Sequence, residues 1–369
     1  MQLVAYGAQD IYLSGNPQIT FFKVVYRRHT NFSMESIAQT FNGTVGFGRK
    51  VTATISRNGD LVNRMWLEAS LPALDAAKAY KSNVGHKLVK SVEVEIGGQR
   101  IDKHYGDWLE IWNQLSQTAG HEDGYDKMIN GTVDGKDLAP ATNDLARTVY
   151  VPLQFWFCRN PGLALPLIAL QYHEVKVNIE FASLGEVSDA AAPLSGDLSA
   201  DLYVDYVYLD TDERRRFAQV SHEYLIEQLQ FTGDEAPSQN IKMNFNHPVK
   251  EIVWVEVKAG DFVSTYEQAQ ITLNSHERMS MRKPMYFQLV QPYQHHERVP
   301  TANPINVYSF ALKPEEHQPS GTCNMSRIDT ATLKLSNIVA ANVDSVKVFA
   351  TNYNVLRIMS GMGGLAYSN

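Results

Sequence analysis

The sequence predicts an all-β protein made of antiparallel sandwiches, one in each half of the chain, and three observations carry that prediction. Apolar and polar residues alternate with a period of two at many places. Turn-forming residues separate those stretches. Strand then follows strand, without the regular helices that connect the strands of a parallel sheet.

Residues 1–30 read as an arm ahead of the first sandwich. They are dense in Tyr6, Ile11, Tyr12, Ile19, Phe21, Phe22, Val24, Val25 and Tyr26, a composition too sticky for a free tail. Asn16-Pro17 divides the arm into Leu3–Leu13 and Ile19–Tyr26, because a residue before proline avoids the helical region. The second piece is expected to pack along the first sandwich, which it runs into, and the first piece, farther from any domain, to reach out to another molecule. Lys23, Arg27 and Arg28 are interleaved with Val24, Val25 and Tyr26, which suits strand-edge charges better than a nucleic-acid arm.

Residues 31–211 carry the first sandwich. Val51–Ser56 and Leu61–Leu71 flank an Asn58-Gly59 turn, and Val92, Val94 and Ile96 alternate with polar neighbours up to Gly97-Gly98. Tyr105, Trp108, Trp112 and Leu115 fall at helical spacing, so one helix is expected over Tyr105–Gln117 with those four facing inward. Arg147–Phe157 is strand-like, Val175, Val177, Ile179 and Phe181 alternate cleanly, and Leu202–Leu209 closes the half. The polar stretches His121–Arg147 and Leu184–Ala200 are expected to be outward loops.

Residues 212–222, which overlap the charged stretch Asp210–Ser221, read as a linker. Residues 223–369 then supply Tyr224–Thr232, Glu251–Val257, Gln268–Leu273, Val307–Leu312, the alternating Ala331, Leu333 and Leu335, Val343–Ala350 and Val355–Met359. The halves echo each other: Ile96–Arg100 matches Leu273–Arg278, and Val151–Ile179 matches Val307–Leu335 in pattern, which hints at duplication.

Composition narrows the function. The 369 residues are 44% hydrophobic and 20% charged, so a folded protein with room for two cores is expected. A net charge of -7 argues against a surface built for nucleic-acid phosphate. Cys158 and Cys323 read as buried thiols of a protein folding in a reducing cytosol. The N-terminus lacks a signal-peptide pattern, and no apolar run approaches the roughly 18 residues of a membrane helix.

Catalytic chemistry finds little support, and no cofactor, nucleotide or metal is expected. Metal-binding sandwich enzymes use a closely spaced histidine pair, and His295-His296-Glu297 is the nearest cluster. Adjacent strand residues point to opposite faces, so it reads as loop surface. His173-Glu174 reads as a half-buried imidazole bonded to backbone rather than an acid–base group. Gly43 to Lys50 superficially resembles a phosphate loop, but Val51 replaces the hydroxyl residue and no helix pattern follows. Gly361, Gly363 and Gly364 suggest a close-packed turn. Four Asn-x-Ser/Thr triplets occur, at Asn31, Asn42, Asn130 and Asn324, with Asn130 the most exposed candidate for glycosylation.

Two terminal blocks, Gln2–Leu13 with Gly15–Lys23 and Tyr26–Arg28, and Asn352–Tyr367, resemble the major capsid proteins of large icosahedral double-stranded DNA viruses, above all those of green algae. Ile96–Tyr105, Pro161–Val175, Glu223–Gly233 and Gln318–Asn324 continue the resemblance in family order. It implies two consecutive eight-stranded jelly rolls, and three chains forming a pseudo-hexagonal capsomer of the outer shell, assembled in the host cytoplasm. Its partners would be neighbouring capsomers, minor capsid and penton proteins, with glycans possible. The family's long outer loops look reduced here to Lys258–Glu267 and Asn337–Val343. That leaves a shorter minor-capsid paralogue as one alternative. A capsid-derived carbohydrate- or receptor-binding attachment protein is another, with Tyr125 and Tyr266 as candidate platform residues. An enzyme on the same scaffold is the third.

Overall fold

Eight principal strands build each half of the molecule, and both halves wire them in the same order. The structure, a computed structural model, describes residues 7–368 apart from 76–77, 131, 134–135, 138–144, 191–192, 195, 278 and 302. The first half contains β1 (Phe32–Gln39), β2 (Lys50–Thr54), β3 (Leu61–Leu71), β4 (Val89–Ile96), β5 (Gln99–Tyr105), β6 (Arg147–Pro152), β7 (Val175–Phe181) and β8 (Ser199–Leu209). One sheet runs β1-β8-β3-β6 and the other β2-β7-β4-β5, with antiparallel pairing throughout. The second half contains β9 (His222–Glu235), β10 (Asn240–Lys242), β11 (Pro248–Lys258), β12 (Gln268–Leu273), β13 (His276–Glu277), β14 (Asn306–Ser309), β15 (Ala331–Ser336) and β16 (Ser345–Met359). Its sheets run β9-β16-β11, with β14 on β11, and β10-β15-β12-β13. Raising each number by eight converts the first pair of sheets into the second. This is a double jelly roll.

The tight turns are where the sequence places them. Gly97 and Gly98 (φ 58° and 83°) join β4 to β5, and Asn274 and Ser275 (φ 52° and 63°) join β12 to β13. Both central residues of each turn are left-handed, the twist that matches a two-residue hairpin. Arg278, the end of the expected echo, lies outside the described residues.

Each roll buries its own core. Val92, Val94, Val177, Ile179, Phe155 and Phe157 are among the fully buried residues of the first, and Trp254, Phe287, Ile271 and Leu333 of the second. Helix α1 (Gly106–Ser116) realises the predicted amphipathic helix, but its tryptophans leave the first roll's core and cross to the second roll.

Several expectations change on folding. Val343–Ala350 and Val355–Met359 are one strand, β16: the polar break between them holds Asn352 and Asn354, which are buried and hydrogen-bonded rather than turning the chain. The linker is largely a helix, α3 (Thr211–Gln219), capped by the Asp210 carboxylate. Phe217 of that helix packs against Leu61 and Val207. The stretch after His121 opens with helix α2 (Glu122–Asn130), whose Tyr125 and Ile129 are buried. Leu184 and Val187 are likewise buried, in a short helix closed by a Ser183–Glu186 capping box. The arm departs furthest: Ile19 to Tyr26 does not pack on the first roll, and Phe22 is 97% exposed. Lys23, Arg27 and Arg28 are exposed arm residues, not strand-edge charges. Residues 3–6 of the first arm piece lie outside the described residues.

Candidate assembly surfaces

The seam between the rolls is built by α1. Trp108, Ile111, Trp112 and Leu115 recur every three or four residues, so they form one ridge. That ridge is buried against Val253, Val255, Val257, Val307, Ile305 and Phe349. β11 therefore has two covered faces, Ile252 and Trp254 toward its own core and the valines toward α1. This explains an uninterrupted buried run from Val249 to Val257.

A charged network closes the seam beside the ridge. Arg159 Nη2 lies 2.7 Å from Glu227 Oε2, and Lys250 Nζ lies 2.8 Å from Glu227 Oε1. The Arg159 guanidinium also stacks over Trp112, 4.6 Å from the ring centre. Burial alone would raise the Glu227 carboxyl. Arg159, with His317 and Lys250, outweighs burial and holds it at about 2. Burial pulls Lys250 downward, opposed by Glu227, and its ammonium also donates to the Pro314 carbonyl.

His296 is buried, which corrects its reading as loop surface. Nε2 lies 2.9 Å from Glu251 Oε2 and Nδ1 2.8 Å from Glu315 Oε1. Burial would lower its pKa, but the two carboxylates raise it to about 9, so the ring is cationic at neutral pH. His295 instead turns to the Leu312 carbonyl. The adjacent-residue rule separates them as expected, but the loop folds inward. Sequence held no signal for this, because Glu251 and Glu315 are distant in the chain. Among the described residues no group of three or more His, Cys, Asp or Glu is placed to hold a metal ion.

The other flagged residues have structural surroundings. His173 is half-buried, with Nδ1 3.0 Å from the Gly363 carbonyl and 3.2 Å from the Gly363 amide. The C-terminal hairpin, β16 with β17 (Met362–Leu365), turns at Ser360-Gly361 and locks onto the first roll there. A Cβ on Gly361 would sit 2.6 Å from the Tyr172 ring, so the close-packed turn requires glycine. Residues 43–49 form an irregular connection that runs into β2 at Lys50, with no helix after it. Asn130 is half-buried: its amide nitrogen donates to Asp126 O and Asn83 Oδ1, and its oxygen accepts from Asn83 N. The exposure expected for it is absent. Tyr125 and Tyr266 are 9% and 4% exposed, so neither is a surface platform. Burial pushes the Cys158 thiol up to about 12, and Cys323 is half-buried.

Comparison with known proteins decides the family. Residues 20–210 match the model of the major capsid protein N-terminus, and residues 213–364 match that of the large eukaryotic DNA virus major capsid protein. The chain belongs to the major capsid protein family of large eukaryotic DNA viruses. It is 66% identical to the major capsid protein of Pyramimonas orientalis virus, with 100% of this chain and 99% of the relative covered. It is 44% identical to that of Paramecium bursaria Chlorella virus 1, at the same coverage. The quasi-atomic model of the PBCV-1 virus capsid superposes with a TM-score of 0.85 at 40% identity, covering 95% of this chain and 100% of that one. The Faustovirus major capsid protein shares the fold, with a TM-score of 0.77 at 12% identity over 96% of this chain and 94% of that one. The Chlorella-virus alignment spans 440 residues against 369 here, so that capsid protein carries segments this one lacks. The second-roll connections are indeed tight in this capsid protein. Ala259-Gly260 turns directly into the short strand Asp261–Val263, and Asp344 clamps Lys258 and Ala259 N.

Proposed function

We propose that this chain is a structural, non-enzymatic subunit of the outer shell of an icosahedral virion, acting as a homotrimer that forms a pseudo-hexagonal capsomer. The observation that carries this reading is the repeated strand order in a chain related along its whole length to major capsid proteins. Two like lobes per chain give three chains six like lobes, and a near-hexagonal outline tiles a flat facet. Closed threefold symmetry also buries apolar surface without open-ended growth. Assembly in the host cytoplasm, and contacts with minor capsid and penton proteins, follow from the same reading. Sedimentation equilibrium at micromolar concentration in moderate salt should give about 125 kDa, three times the 41.5 kDa chain. A species of 41.5 kDa would reject the trimer.

A further inference from the structure

We propose that the N-terminal arm is a membrane-surface anchor, in which residues 11–28 lie on an anionic lipid bilayer. The proposal goes beyond the shell-subunit reading and does not depend on the oligomeric state. Tyr12, Leu13, Ile19, Phe21, Phe22 and Tyr26 are between 72% and 97% exposed. The hydrogen bonds of the described arm residues join them to each other: Asp10 accepts from Gly7 and Ser14, Thr20 Oγ1 accepts from Phe22 N, and His29 meets the Thr30 carbonyl. A continuous apolar surface this open marks a binding site rather than a tail.

Charge selects the partner. Lys23, Arg27 and Arg28 sit among these side chains, and no acidic residue occurs between Asp10 and Glu35, although the whole chain carries a net charge of -7. None of the three cations forms an ion pair among the described residues. The arm therefore calls for negative charge and an apolar phase side by side. The headgroup boundary of an anionic bilayer offers both: aromatic rings sit at it, and Lys and Arg keep their charge among the headgroups while their stems follow the apolar side. Nucleic-acid phosphate would satisfy the cations but not Ile19, Val24 and Val25. A protein groove or sheet edge reads apolar residues at a fixed period. Here they occupy both parities, Ile19, Phe21 and Val25 on one and Phe22, Val24 and Tyr26 on the other. A fluid lipid phase accepts both without register.

The root of the arm suits the same contact. Phe32, where the arm enters β1, pairs with Leu209, and α3 starts at Thr211. Phe217 of α3 stacks on His222, which pairs with Ile358 beside the C-terminal hairpin. Val220, Met359 and Met362 are 54%, 52% and 53% exposed there. The end of the molecule from which the arm leaves thus exposes apolar side chains of its own. The arm lies on the bilayer and does not cross it, because its apolar runs are far shorter than the roughly 18 residues a crossing needs.

Flotation of the full chain with lipid vesicles tests the anchor, with thermal melting as the control for folding. At low salt the wild type should float with phosphatidylcholine vesicles containing about one-third phosphatidylserine, and bind at least about tenfold more weakly to phosphatidylcholine alone. Lys23→Gln with Arg27→Gln and Arg28→Gln should weaken binding to the anionic vesicles by about 100-fold. Phe21→Ser with Phe22→Ser, which leaves the charge unchanged, should weaken it by at least about tenfold. Both variants should melt as the wild type does. A wild type that stays in solution with the anionic vesicles, or either variant floating as well as the wild type, overturns the proposal. A lowered melting temperature in either variant overturns it too, since the arm would then pack on its own chain. So does wild-type binding to polyglutamate or single-stranded DNA as tight as to the anionic vesicles, which would give the arm an acidic macromolecule as its partner.

Discussion

Glu227, at the seam, and His296, inside the second roll, show how single ionisable groups set the pH range of stability. Glu227 has a folded pKa near 2 against an ordinary 4.5, so its stabilisation is complete above 4.5 and is lost as pH falls toward 2. His296 is shifted the other way, to about 9 from 6.5. Its contribution is complete below 6.5 and is lost as pH rises through 9. Both contributions are therefore complete between pH 4.5 and 6.5, where stability should be greatest. In His296→Gln the decline of the urea midpoint between pH 6.5 and 9 should be shallower than in the wild type. Parallel profiles would mean that Glu251 and Glu315 do not act on this ring. Leaving Lys250 without its partner in Glu227→Ala should cost about 3–5 kcal/mol, read from urea unfolding at neutral pH.

At the scale of elements, the N-terminal arm and α1 make opposite use of the same kind of residue. Trp108 and Trp112 are 3% and 8% exposed because a helix gathers them on one face and a sheet receives it. Phe21, Phe22 and Tyr26 are 88%, 97% and 87% exposed because none of the described residues of the same chain receives them. An element that buries nothing contributes nothing to the stability of its own chain. Removing residues 1–26 should accordingly shift the melting temperature by less than about 2 °C, measured by calorimetry. A larger fall would show that the arm packs on its own chain in solution.

For the whole molecule, the question is whether two rolls behave as one unit. The seam joins them through the α1 ridge, through Arg159, Glu227 and Lys250, and through the C-terminal hairpin on His173 and Tyr172. A largely apolar seam of that kind makes opening one roll expose the face of the other. Calorimetry of the wild type should therefore show a single cooperative transition. Trp112→Ala, which removes about 3–5 kcal/mol from the seam, should separate it into two. Two transitions in the wild type would show that the rolls are coupled only loosely.

The sequence by itself determined the β class, the turns at Gly97-Gly98 and Asn274-Ser275, the helix over α1 and the family, because these rest on local periodicity, turn chemistry and extended peptide blocks. It also hinted at duplication, but only strand order made that certain, since pairing between β1 and β8 or β9 and β16 joins residues far apart in the chain. Tertiary structure alone decided which face each apolar stripe covers. The α1 tryptophans read as core for the first roll and proved to be the cover of the second. Burial of Asn352, Asn354 and His296 was likewise unreadable, because polar residues go inside only where distant partners satisfy them: Gln228 for Asn354, and Glu251 with Glu315 for His296.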